Sequence, residues 1–264
     1  MPSVYAHYRF GQDIFEQLPV EFKSAALKYR DLYNMGLQGP DLLFFFRPLQ
    51  KNYVNRLGHQ IHDWSGEKFF HTSARLIRNH KKKDAFLAYI CGSVAHYALD
   101  LTCHPYVEEL EKQQGLNHCA IEGAFERVLI VEDRLPLNVL VTKPLVPSQL
   151  NANVIAQFYG RTTSKQILSA IRTMIFLNDA LRMKNGIVKK GIFLFLRLVG
   201  KYDNISGMII TPTALPEFAE SDIELRKRYE LAKPVAIKLM TELLTCIQTG
   251  QKLSHQFHPT YLGE

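Results

Sequence analysis

Three side chains able to bind a metal or move a proton stand four residues apart in one apolar stretch: His96, Asp100 and His104. Each four-residue step along an α-helix turns a side chain by only about 40°. His96 and Asp100 therefore share a helical face, and His104 joins them if the helix runs on to Pro105. His118 and Glu122 repeat the spacing on the following segment. Imidazole nitrogen and carboxylate oxygen are the ligands Zn²⁺ takes in catalytic sites, whereas closed structural sites favour thiolates. The bland alternative is a surface ion pair at i, i+4. The setting opposes it, because the apolar run from Ala88 to Ala95 leads into His96, and Ala120 and Ile121 precede Glu122. Titratable groups buried in such sequence are costly unless something compensates them, and a shared cation does so.

More candidates lie upstream. His7 stands near the start. Asp41 follows the run Gly36 to Pro40, whose glycines let the backbone bend closely around a site. His59 and His62, three apart after Gly58, also share a helical face, and Asp63 follows them. His71 and His80 sit in polar, basic sequence and read as solvated surface. Phe44 to Phe46 beside Asp41, with Tyr5, Tyr8 and Trp64, could line a pocket, although plain core packing is the simpler reading. Arg47 and Lys51 are either phosphate contacts or ordinary surface.

The elements that must position these residues are helices. Apolar spacing of the 3.6-residue kind runs through 86–101, 121–131 and 164–181, and 221–248 reads as a long final helix with a bend at Pro234. No series of alternating strands appears, so the fold class is all-α, with irregular chain around 36–48. The prolines at 136, 144 and 147 mark a connector. It separates a ligand-bearing region, 1–135, from a helical region, 136–264, expected to pack on it as one domain. Of the ten histidines, only His255 and His258 fall in the second region.

With 264 residues, 47% of them hydrophobic and 22% charged, the chain can bury a large core. Its net charge of +7 favours anionic partners without choosing among them. The cysteines, Cys91, Cys103, Cys119 and Cys246, include no C-x-x-C pair and make no disulfide framework. The opening residues lack the apolar core of a secretory signal, and no run approaches 18 apolar residues, so the expectation is a cytoplasmic protein with free thiols. The basic, apolar stretch 187–199 is too short and too charged to span a bilayer. It either packs as a core helix or makes peripheral contact with an anionic membrane.

Taken in order, His7, the stretch Gly39 to Phe44 around Asp41, Gly58 to His62, the His96–Asp100–His104 ladder and the His118–Glu122 pair resemble the bacterial zinc-dependent phospholipase C family, which is related to the P1-type nucleases. The resemblance spans about residues 2–130. It implies a multi-helix, all-α zinc-dependent phospholipase C or P1 nuclease-like fold holding up to three zinc ions. One zinc would take Asp41, His62, His96 and Asp100, and a second His104, His118 and Glu122. The third would take His7, a shared Asp100 oxygen and the free N-terminal amine. His59 rivals His62, which the Gly58 frame and the following acidic residue favour. Secreted members of the family present an N-terminal tryptophan. Here, removal of Met1 would leave the secondary amine of Pro2 five residues before His7.

The activity so implied is attack of a metal-bound hydroxide on a phosphodiester, with Asp41 orienting or deprotonating the water. The substrate is a phosphate ester, a phospholipid or another phosphodiester, and nucleic acid stays open. The alternatives are a nuclease or phosphomonoesterase on the same scaffold, a non-catalytic metal-binding protein, or an HD-type phosphohydrolase built on the adjacent pair His62 and Asp63.

Overall fold

The computed structural model describes residues 4–182, 191 and 209–264, and among these it contains helices and no strand. Among the described residues ten α-helices follow in order: α1 (Val4–Asp13), α2 (Val20–Lys28), α3 (Arg30–Gly36), α4 (Tyr53–Asp63), α5 (Gly66–Arg78), α6 (Lys83–Gln114), α7 (His118–Glu132), α8 (Gln149–Ala156), α9 (Ser164–Arg182) and α10 (Ala219–Thr249). A 3-10 helix, Gly39–Phe45, follows α3, and another, His255–Phe257, lies in the segment after α10. The all-α expectation holds. Pro2 and the stretch 187–199, apart from Gly191, lie outside the described residues.

Helix α6 is the axis. The apolar side chains that lead into His96 leave it buried almost all round, and α1, α2, α3, α5, α7 and α10 pack on it. Among the described residues it alone is long and apolar enough to cross a membrane, and 83% of its apolar window is buried in the molecule. The helix passes Pro105 and ends thirteen residues beyond the stretch whose spacing predicted it, at Gln114. A proline removes one intrahelical donor, and packing on both sides of Pro105 holds the helix through it. Pro234 likewise lies inside an unbroken α10.

Two close approaches bring the upstream residues to α6. A Cβ added at Gly92 would lie 2.3 Å from the carbonyl oxygen of Tyr33, so the backbone of α3 rests directly on α6 one turn before His96. The chain then enters the 3-10 helix at Gly39, where φ is +50° and a Cβ would lie 2.3 Å from the His96 ring. Only glycine fits that position. The residues expected to be irregular around 36–48 thus form a tight turn that sets Asp41 beside His96.

Candidate metal centre

Asp41, His62 and His96 form one group whose ligand atoms lie within 4.8 Å of one another, and so do His7, His96 and Asp100, and His104, His118 and Glu122. Five elements supply them: α1, the 3-10 helix after α3, α4, α6 and α7. Asp100 stands between the groups. Its Oδ1 is 3.4 Å from His7 Nε2 and 3.4 Å from His104 Nε2, and its Oδ2 is 3.0 Å from His96 Nε2. His62 Nε2 is 3.0 Å from Asp41 Oδ1, while His104 and His118 place their Nε2 atoms 3.4 and 3.3 Å from Glu122 Oε1. All eight side chains are buried except that of His118, which is 24% exposed.

The other ring nitrogens fix the chemistry. His62 Nδ1 lies 2.8 Å from Gly58 O, His96 Nδ1 3.3 Å from Leu37 O, and His104 Nδ1 3.1 Å from Tyr261 O. A carbonyl only accepts, so each Nδ1 carries a hydrogen, and a neutral imidazole then turns the lone pair of Nε2 toward carboxylate oxygen. Two acceptors facing each other at 3.0–3.4 Å require a cation between them or a second proton on each ring. Burial pushes His96 below its ordinary value despite Asp100, which disfavours that second proton. His96 Nε2, Asp100 Oδ2, His7 Nδ1 and Glu122 Oε2 are buried without a hydrogen-bond partner. His96 Nε2 and Asp100 Oδ2 are close enough to bond but are not aligned for it. Around a tetrahedral zinc with bonds of about 2.05 Å, ligand atoms stand about 3.3 Å apart. The donor set and its spacing fit zinc.

The carboxylates are held ionised. Burial opposes ionisation of Asp100, but His104, His96 and His7 outweigh it and keep it well below the usual carboxylate range. Asp41 is lowered in the same way, with His96 and His62 among the groups that overcome its burial, and Glu122 falls to about 2 through His118 and His104. Conversely, Asp100 and Glu122 overcome the burial of His104 and raise it to about 9. A cavity of about 30 Å³ adjoins His7, Asp100, His104 and Glu122, with Leu99, Val107 and Phe125 as its apolar wall. It has room for ions or about two waters.

His59, the rival of His62, is exposed and lies tilted against Phe44, outside the three groups, whereas His62 belongs to one of them. Asp63 is exposed, so the adjacent pair of an HD-type centre does not converge. His71 and His80 stand outside the three groups, both partly exposed. Phe44 packs on His62, Tyr5 hydrogen-bonds Asp133, Trp64 lies under Lys68, and Arg47 and Lys51 are exposed.

Sequence reasoning missed two residues. Tyr261 accepts from His104 and packs on His62 and His96. Glu126, one turn beyond Glu122, accepts from the Tyr5 backbone N–H at 2.6 Å and pairs with Arg182 at 3.0 Å, so a buried carboxylate caps the helix that carries His7. The i, i+4 spacing of Glu122 and Glu126 was the available signal for the second. Local sequence carries none for Tyr261.

A family model described as zinc dependent phospholipase C matches residues 6–175, well over half of the chain and inclusive of all eight side chains. No curated protein and no solved structure gives a match.

Proposed function

Because the chain belongs to the zinc-dependent phospholipase C family, we propose that it hydrolyses a phosphodiester, phospholipid foremost, at a zinc centre held by His7, Asp41, His62, His96, Asp100, His104, His118 and Glu122. The family is one of zinc-dependent hydrolases acting on phosphate esters. The observation that carries the residue assignment is the shared orientation of His62, His96 and His104, each with Nδ1 on a backbone carbonyl and Nε2 facing carboxylate. Second-sphere bonds of that kind fix the tautomer and the ring plane of metal-binding histidines.

Zinc bound there acidifies water and draws charge from phosphoryl oxygens. The protein's own groups do the rest. Asp100, which reaches His7, His96 and His104, ties the groups together. Asp41, ionised in spite of burial, accepts a hydrogen bond from the attacking water and orients it. His118, the most exposed of the set, marks the side from which a phosphate approaches.

Elemental analysis of the purified protein, with assays on phosphatidylcholine vesicles, a generic phosphodiester, a phosphomonoester and single-stranded nucleic acid, tests this reading. Bound zinc with turnover of the vesicles is the expected result. Asp41→Asn should lower the rate by about 10²–10⁴. Zinc without turnover of any of the four leaves a metal-binding protein, and turnover confined to nucleic acid or to the monoester moves the substrate.

A further inference from the structure

We propose that Tyr261 is a positioning residue of the metal centre, supplied by the segment after α10, and that this segment sets the metal affinity of the His104–His118–Glu122 group. The inference rests on the zinc reading above.

Three histidines have their Nδ1 atoms on backbone carbonyls, but the acceptors differ in origin. Gly58 is one turn from His62 on the same helix, and Leu37 stands two residues before the 3-10 helix that carries Asp41. Tyr261 is 157 residues from His104 and lies beyond the stretch that the family model matches. The same residue also touches α4: its N–H donates to His62 O at 3.2 Å, and its ring centroid is 5.1 Å from that of His62 and 5.9 Å from that of His96. One residue therefore contacts histidines of all three groups except those on α1 and α7.

The segment is held in place independently of those contacts. Pro259 O accepts from Tyr97 Oη at 2.7 Å and from Gly66 N at 2.9 Å, and Phe257 packs between Phe70 and Tyr97. Without the Tyr261 carbonyl, the Nδ1–H of His104 loses the backbone acceptor that fixes its tautomer. The ring then gains by moving its hydrogen to Nε2, where Glu122 Oε1 lies 3.4 Å away. That tautomer cannot ligate through Nε2. Outer-sphere losses of this kind weaken metal binding by about 10–100-fold. The Tyr261 hydroxyl is buried without a partner, so the backbone and the ring, not the phenol oxygen, carry the effect.

The test is cobalt(II) titration of metal-free protein, read by the visible absorption of the bound ion and by competition with a chelator. A chain ending at His258 should bind cobalt about 10–100-fold more weakly at one group, with a changed absorption envelope. Tyr261→Ala should shift binding in the same direction and less far, since it keeps the carbonyl, and Tyr261→Phe should match the wild type. Leu243→Ala, a buried truncation on α10 outside the three ligand groups, reports what loss of stability alone does, and should leave the spectrum unchanged. Wild-type affinity and spectrum in both the shortened chain and Tyr261→Ala would overturn the proposal, as would an equal change in Leu243→Ala. A wild-type chain that takes up no cobalt or zinc fails the zinc reading itself.

Discussion

The ladder on α6 and the pair on α7 use the same spacing and make different sites. His96 and Asp100 sit mid-helix, 0% and 2% exposed, with packed helices around them. His118 opens α7, directly after the cap at Asn117, is 24% exposed, and has its Nδ1 3.4 Å from Glu111, itself half-exposed. The ladder is fixed by burial on every side, the pair by a helix start whose first turn is open to solvent. Rigidity and access are divided between them.

Removing the residue that reaches His7, His96 and His104 together should have the largest effect. Asp100→Asn is expected to lose bound zinc and activity together, by more than the 100-fold or so that outer-sphere changes cause. Elemental analysis beside the vesicle assay checks this, and full metal content with full activity would refute the linking role. Next comes Glu126→Gln, which leaves Arg182 buried without a counter-charge beside α1. It should cost about 3 kcal/mol or more in denaturant unfolding, and should weaken zinc at His7 before it affects the α7 pair. His118→Ala should remove one zinc and spare the α6 ladder. Loss of all metal in that variant would mean that the two regions do not differ as described. The smallest effect belongs to Glu111→Gln, where an exposed partner is removed and zinc affinity should change by less than tenfold.

Acidity sharpens the same contrast. In metal-free protein His104 is raised from 6.5 to about 9, so its contribution to stability is complete below 6.5 and is lost as pH rises through about 9. Glu122, held down to about 2, contributes above its ordinary 4.5 and loses that contribution as pH falls toward 2. Zinc competes with the His104 proton, so its affinity should rise between pH 6.5 and 9 while the metal-free Tm falls. Thermal melts of both forms across that range check the sign.

Much of this was legible in the sequence, for a physical reason. Ligands spaced at i, i+4 on one helix converge whatever surrounds that helix, so His96, Asp100 and His104 could be placed together without knowing the fold. Helix type was legible in α7, α9 and α10 for the same periodic reason. Helix length was not, since Pro105 reads as a stop and is overridden by packing on both its flanks. The choice between His59 and His62 needed the direction in which α4 faces the Asp41 turn. Tyr261 and the Glu126–Arg182 pair arise from segments far apart in the chain, and no local pattern encodes such meetings.

The central claim is that cations join the buried imidazoles to the carboxylates. Crystals of protein loaded with zinc, measured on both sides of the zinc absorption edge, test it most directly. Anomalous peaks about 2.0–2.2 Å from the Nε2 atoms of His62, His96 and His104 are the expected result. Zinc-soaked crystals with those atoms in place and no anomalous density among them would contradict it.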